Sequence, residues 1–293
     1  MKAATFAYAR ATSVGNAIAL LAQHGDRAKV LSGGQSLMPA MNLRLVAPDL
    51  IVDIGSLNEL RGITTREGII SIGALTRQAD IQRHPEIAAQ APLLKQAIAH
   101  VAHPAIRNRG TIGGSLAHAD PAAELPACMI ALNATIVARG EGTERRIPAQ
   151  SFFTGIYETA LSPQELLVAV ELPRASKNSA HFFDEFARRR GDFAIVGLAA
   201  QAVVEDGRLT DFRPVFFGIS DRPILVAAAT GLIGSSVTPQ SLLEATQALE
   251  RELDPPEDQA ASGAMRRQLA KILLARCVSE LLGRPDLNVG GVA

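Results

Sequence analysis

Two glycine pairs set the tightest constraint on this chain: Ser32-Gly33-Gly34-Gln35-Ser36 and Thr111-Ile112-Gly113-Gly114-Ser115. Adjacent glycines let the backbone curl so that successive N–H groups face one concavity, and the flanking hydroxyls add donors without bulk. Such a nest suits the oxygens of a diphosphate, and two nests can grip one. The plainer alternative is that each pair serves a tight turn and nothing else. The first pair follows Ala28 to Leu31, a short apolar run that reads as a strand, and leads into a helical segment through Arg44. The spacing therefore predicts strand, loop and helix in succession.

The rest of the N-terminal half keeps alternating the two kinds of element. From Ser13 to His24 the residues Val14, Ala17, Ile18, Leu20 and Leu21 recur at helical spacing behind Ser13, a good N-cap. Leu50 to Ile54 and Ile69 to Ile72 read as strands bounded by Pro, Asp or Gly, while Thr76 to Arg83 and Ala91 to His100 read as helices. Ala105 to Ala127 shows neither period, and a long irregular stretch inside a compact domain is usually functional. Leu125 to Leu132 then returns to helix and Ala134 to Arg139 to strand. The polar, turn-rich run from Pro173 to Ser179 predicts a domain boundary. Beyond it lie three strands, His181 to Ala187, Ile195 to Val204 and Arg213 to Gly218, and two helices, Pro239 to Leu253 and Ala261 to Leu282. No internal repeat or low-complexity run is present.

Composition narrows the class of partner. Of 293 residues, 47% are hydrophobic, enough for one large core or two to three smaller ones, and 29 basic residues balance 29 acidic ones. Zero formal charge argues against a nucleic acid, whose affinity comes from clustered Lys and Arg on phosphates. The apolar windows Ala127 to Ala138 and Ile195 to Val204 fall short of the ~20 residues that span a bilayer. The opening Met1-Lys2 is followed by Tyr8 and Arg10 before any apolar run builds up, unlike a secretory leader. With only Cys128 and Cys277, both among apolar neighbours, four-thiolate zinc and iron-sulfur sites are impossible; two buried reduced thiols in a cytoplasmic protein are expected. P-loop, Rossmann, C-x-x-C and H-E-x-x-H signatures are missing.

The two glycine segments closely resemble the FAD-binding signatures of the molybdenum hydroxylase flavoproteins, the family of the carbon monoxide dehydrogenase medium subunit and the xanthine dehydrogenase FAD domain. The likeness extends to Phe6-x-Tyr8 before a helix, to Ala119-Asp120-Pro121-Ala122-Ala123-Glu124-Leu125-Pro126-Ala127, and to Arg190-Gly191-Asp192-Phe193-Ala194. It covers nearly the whole chain. Departures are small: Ser32 stands where Ala is usual, Ser115 where Asn is usual and Phe193 where Tyr is usual.

The resemblance implies an α+β protein. Residues 1–175 would form an FAD-binding half of the vanillyl-alcohol oxidase (PCMH) type, in subdomains of about 1–55 and 56–175, and residues 176–293 a C-terminal α+β domain. FAD would lie extended between them. By matching positions, the loop of Ser32, Gly33, Gly34, Gln35, Ser36 and Leu37 and the main chain of Thr111, Ile112, Gly113, Gly114 and Ser115 would hold its pyrophosphate. Asp120 and Glu124 would approach ribitol or ribose hydroxyls, as carboxylates accept strongly from hydroxyls, and Phe193 would shield the ring. His118 reads either as a contact to the cofactor's edge or as a loop histidine. No catalytic residue and no metal ligand is assigned.

As partners the resemblance implies a large molybdopterin subunit and a small [2Fe-2S] subunit in a dimer of heterotrimers. Electrons would enter from the iron-sulfur subunit and leave to an external acceptor. A self-contained FAD oxidase or reductase and a nucleotide-binding scaffold are the alternatives. Other residues carry less. His100 and His103, at i, i+3, lack a third ligand and read as a helix end before Pro104; Arg107 and Arg109 either balance a diphosphate or brace the second loop; Arg188-Arg189-Arg190 reads as a solvated strand end. The substrate and the electron acceptor are not legible.

Overall fold

The computed structural model describes residues 2–287; Met1 and residues 288–293, the two ends of the domains drawn from sequence, lie outside the described part. The chain divides into two compact units that do not follow chain order. The first holds the chain up to Ile81, His103–Ala119 and Ala134–Pro173. The second holds Gln82–Ala102, Asp120–Asn133 and the chain from Arg174 onward.

In the first unit, β1 (Ala7–Arg10) leads through α1 (Val14–His24) to β2 (Ala28–Leu31), and α2 (Leu37–Asn42) then leads to β3 (Leu50–Asp53). The three strands run parallel in the order β1-β3-β2, with Leu50 opposite both Ala7 and Ala28. Ser13 caps α1 by accepting from the Asn16 amide at 3.0 Å, and the helix buries Val14, Ala17, Ile18 and Leu21 in a core shared with Leu50 and Val52. Burying four such side chains is worth roughly 1 to 3 kcal/mol each, far more than the helix's own propensity.

The second sheet of this unit is antiparallel throughout. It comprises β4 (Ile63–Arg66), β5 (Ile69–Gly73), β6 (Thr135–Gly140), β7 (Thr143–Pro148) and, after the small hairpin β8 (Phe153–Gly155) and β9 (Glu158–Thr159), β10 (Leu166–Pro173). Its order is β4-β5-β10-β6-β7, so the last strand in sequence inserts at the centre. The apolar run Leu166 to Val170 is the reason, since a central strand hides both edges and most of its side chains.

Between β5 and β6 come α3 (Gln78–Arg83), α4 (Pro85–Gln90), α5 (Pro92–Ile98), α6 (Pro104–Arg107), α7 (Ile112–His118) and α8 (Glu124–Ala131); α9 (Ala149–Phe152) follows β7. The stretch read from sequence as irregular, Ala105 to Ala127, thus contains most of α6, all of α7 and the start of α8. Helices of four to eight residues are too brief to show a period and are held by tertiary contacts. Pro104, read as ending the preceding helix, instead occupies the first turn of α6, where its missing N–H is no loss.

The second unit is built on β11 (Ser179–Phe186), β12 (Val196–Glu205), β13 (Arg208–Phe217) and β14 (Ile224–Leu225), antiparallel in that order. Helices α4, α5, α8, α10 (Pro239–Glu252) and α11 (Gly263–Leu282) complete it, with α11 packed along β11 to β13 and α8 along β12 and β13. Its core runs from Phe182 and Val196 through Phe216 to Leu273, Leu274 and Cys277. Cys128 and Cys277 are fully buried and unbonded to each other, and burial pushes both thiols up, which keeps them unreactive. Among the described residues no helix is long and apolar enough to cross a membrane.

Candidate functional site

The carboxyl edge of the parallel sheet is where an open sheet presents its loops, and the first glycine segment leaves it there directly after β2. Gly34 takes φ +72°, a left-handed conformation that an L side chain adopts only under strain. Gly33 has a different reason to be glycine. A Cβ on it would stand 2.4 Å from the Arg109 carbonyl oxygen and 3.0 Å from Cα of Gly110. The loop therefore lies against the segment that leads into the second glycine pair, with no room for a methyl group between them.

The hydroxyls on either side complete the junction. Ser32 Oγ and Thr111 Oγ1 are 2.7 Å apart, a hydrogen bond linking residues 79 positions apart, and Gly114 leaves a gap facing both hydroxyls. The two segments singled out from sequence are thus brought together within the first unit. Among the described residues, the main-chain N–H groups of Gly33, Gly34, Gln35 and Ser36 have no protein acceptor. Unsatisfied backbone donors gathered in one small loop are what an anion's oxygens require. The first loop fits a phosphate group.

The second segment differs from its reading as a bend. Gly113 and Gly114 lie in the first turn of α7, and Thr111 is its N-cap, accepting from the Gly114 amide at 3.1 Å. The other amides of the helix's first turn are also committed: Ile112 donates to Thr76 O at 3.2 Å, Gly113 to Ala74 O at 2.9 Å and Ser115 to Thr111 O at 3.1 Å. The Gly113 requirement is steric, since a Cβ there would meet Cβ of Ala74 at 2.6 Å. The helix is pressed onto the turn after β5, and what the segment offers a ligand is side chains and shape instead of free amides.

That turn, Ala74 to Gln78, is the part of the site that sequence reasoning missed. Beyond the bonds from Ile112 and Gly113, the Gln78 amide donates to Gly110 O at 3.0 Å, and Arg77 pairs with Thr111 in an isolated antiparallel bridge. The Arg77 guanidinium donates to the Arg109 carbonyl, the same oxygen that abuts Gly33. No local motif marks these residues, because their role comes from strand β5 ending beside α7. Of the remaining site residues, Leu37 begins α2, and the His118 ring lies 4.9 Å from that of Tyr157.

Asp120, Glu124 and Phe193 belong to the second unit. Asp120 is buried, and its Oδ1 accepts from the Ala122 amide at 2.9 Å, which fixes the turn ahead of α8. Glu124 opens α8 in a buried position. Burial first, then the charges of Glu185 and Asp120, push its carboxyl up to about 8. Burial thus favours the protonated form of Glu124, which can donate as well as accept. Phe193 is 68% exposed, a large aromatic face open to solvent or a ligand. His100 lies beyond the end of α5, with Nδ1 3.4 Å from Glu185 Oε1.

Comparison with known proteins agrees with this arrangement. Residues 4–175 match the family described as the FAD binding domain in molybdopterin dehydrogenase, and residues 181–281 match the CO dehydrogenase flavoprotein C-terminal domain. The 6-hydroxypseudooxynicotine dehydrogenase complex subunit alpha of Paenarthrobacter nicotinovorans is 40% identical over 286 residues, 97% of either chain. The caffeine dehydrogenase subunit beta of a Pseudomonas strain is 34% identical over the same length, again 97% of either chain. Among solved structures, a carbon monoxide dehydrogenase from Hydrogenophaga pseudoflava gives a TM-score of 0.94 at 34% identity, covering 97% of this chain and 99% of that one. Quinoline 2-oxidoreductase from Pseudomonas putida 86 gives 0.90 at 36% identity, with coverage of 97% and 99%. The fold is an FAD-binding domain of the PCMH type followed by the C-terminal domain of the carbon monoxide dehydrogenase flavoproteins. The chain belongs to the FAD-carrying medium subunits of the molybdenum hydroxylases, a family of oxidoreductases.

Proposed function

We propose that this chain is the electron-transfer subunit of a three-subunit molybdenum hydroxylase. It takes electrons from a [2Fe-2S] subunit and passes them to an external acceptor, while a molybdopterin subunit oxidises the substrate. The relatives' names support multi-subunit assembly, since they are called medium chains and subunits of dehydrogenases. The observation that carries the reading is the contact between the two glycine segments, with the Gly33 to Ser36 amides left for an anion.

When bound, FAD accepts electrons singly and releases them singly or in pairs, which suits a relay between one-electron and two-electron partners. The chain's own residues bind and orient. Gly33, Gly34, Gln35 and Ser36 donate main-chain N–H groups to phosphate oxygens. Ser32 and Thr111 lock the two segments together, and Ser115 offers a hydroxyl from the first turn of α7. Asp120, Glu124 and Phe193 are assigned on the family resemblance: Asp120 accepts from sugar hydroxyls, Glu124 both accepts and donates, and Phe193 covers a ring face. The domain assignment of residues 1–175 to the flavin and 176–293 to the C-terminal fold belongs to the same proposal, as does a cytoplasmic dimer of heterotrimers.

The substrate is set on the molybdopterin subunit. Carbon monoxide, purines and N-heteroaromatics all fit this chain equally. Purification of the tagged full-length chain from its native host tests the reading. Two co-purifying chains are expected, with molybdenum, iron and one FAD per copy. A chain that purifies alone, holds FAD and oxidises a substrate by itself would replace the relay with a self-contained oxidase.

A further inference from the structure

Three arginines, Arg61, Arg77 and Arg109, sit on the segments around the glycine junction. Arg77 donates to the Arg109 carbonyl, which itself lies against Gly33. Arg61 sits on the neighbouring segment, where Leu60 O accepts from Leu75 N at 2.8 Å and Gly62 N donates to Thr76 Oγ1 at 3.0 Å. Its Nη2 donates to Gly55 O at 2.6 Å, in the loop that leaves the carboxyl end of β3. Among the described residues none of Arg61, Arg77 and Arg109 forms an ion pair. Burial and then the positive charges of Arg61 and Arg109 pull Arg77 below its ordinary value, with Asp80 the opposing charge.

Arginine does not escape such crowding by losing its proton. Like charges held together at a half-buried position are costly unless an anion joins them, and the planar fork of a guanidinium matches phosphate oxygens. The amides of Gly33 to Ser36, which find no protein acceptor among the described residues, belong to the loop whose Gly33 abuts the Arg109 carbonyl that Arg77 binds. We infer that Arg77, backed by Arg61 and Arg109, forms the cationic wall of the first glycine loop and binds the diphosphate of the dinucleotide. This inference rests on the flavin reading above. Arg77 is then both a brace for the second segment, through its bond to the Arg109 carbonyl, and a ligand for the anion through its remaining N–H groups.

The test uses the full-length chain freed of flavin, with Arg77→Gln, Arg77→Lys and Arg61→Gln beside the wild type. FAD dissociation constants are measured by flavin fluorescence over a range of salt, with inorganic pyrophosphate as competitor, and apo melting temperatures are recorded. Arg77→Gln is expected to weaken FAD by about 10- to 100-fold and flatten the salt dependence. It should also abolish competition by pyrophosphate while lowering the apo melting temperature only slightly, through loss of the single bond to the Arg109 carbonyl. Arg77→Lys should recover part of the affinity and most of the salt dependence, and Arg61→Gln should lose less than Arg77→Gln. Unchanged salt dependence and pyrophosphate competition in Arg77→Gln would overturn the inference. So would a loss of affinity that tracks a fall in apo melting temperature, the mark of a brace alone. A wild type that takes up no FAD would instead remove the flavin reading. In that case, thermal protection by pyrophosphate that Arg77→Gln abolishes would still support an anion site.

Discussion

The two units handle polar groups in opposite ways. The first leaves some of them open near a sheet edge, where, among the described residues, four amides of one loop find no protein acceptor and Arg61, Arg77 and Arg109 form no ion pair. The second draws them inward. Arg266, 4% exposed, donates from Nη1 to Ile195 O at 2.5 Å and Gly218 O at 2.6 Å, and from Nη2 to Asp258 at 2.7 Å. Arg213 reaches Ile130 O at 3.0 Å, and Glu124 is buried with its carboxyl pushed up to about 8. The contrast teaches where each unit's specificity lies. The first is held by apolar burial and close backbone approach, which frees its polar groups for a ligand. The second spends its polar groups on fixing its own loops to its sheet.

The most damaging change to this contrast is Gly33→Val. A branched side chain where a Cβ already stands 2.4 Å from a backbone oxygen must part the two segments, so FAD retention is expected to fall by more than about 100-fold. Flavin per mole of purified chain reads this directly. Full occupancy in the variant would mean that the glycine junction is not the cofactor's seat.

Arg266→Met strikes the other unit. Removing a buried charge that satisfies two carbonyls and Asp258 should cost about 3 kcal/mol or more of stability, seen as an early denaturation transition. A loss under about 1 kcal/mol would show that the internal polar network is dispensable and the contrast overstated.

Glu124 gives a pH signature. Its folded value of about 8 lies above the unfolded one, so the folded state binds the extra proton in that interval. The stability it supplies is complete below the ordinary glutamate range and is lost as pH rises toward about 8, with a limiting slope of about 1.4 kcal/mol per pH unit. Denaturant melts between pH 5.5 and 8.5 should fall along this slope in the wild type and less so in Glu124→Gln. Parallel curves for the two proteins would mean that Glu124 ionises normally in the fold.

Ser32→Ala is the mildest test. It removes one half-buried hydrogen bond to Thr111, worth about 0.5 to 1.5 kcal/mol, and should weaken FAD only a few-fold while leaving the fold intact. A loss as large as that of Gly33→Val would move the weight of the junction from backbone approach to the hydroxyl pair.

Much of the local structure was legible. Helix α1 starts where Ser13 and the apolar period place it, β2 spans the residues read as a strand, and the first glycine loop follows it. These features are written in adjacent residues, so neighbours alone decide them. The second glycine segment was legible as a motif but not as a helix, because α7 exists through its Thr111 cap and the pressure of Ala74 on Gly113. The insertion of β10 between β5 and β6 was hidden for a similar reason, since an apolar run states that a strand is buried but not between which partners.

By itself the sequence determined the kind of ligand and its family, because two glycine motifs, their hydroxyls and the Asp120 to Ala127 segment are linear signals. Only the tertiary structure decided which amides find no protein acceptor, that Arg77 meets the Arg109 carbonyl, and that burial raises Glu124. Hydrogen-bond commitment, charge crowding and burial depend on groups that the fold brings together from distant parts of the chain, and no window of neighbouring residues contains them.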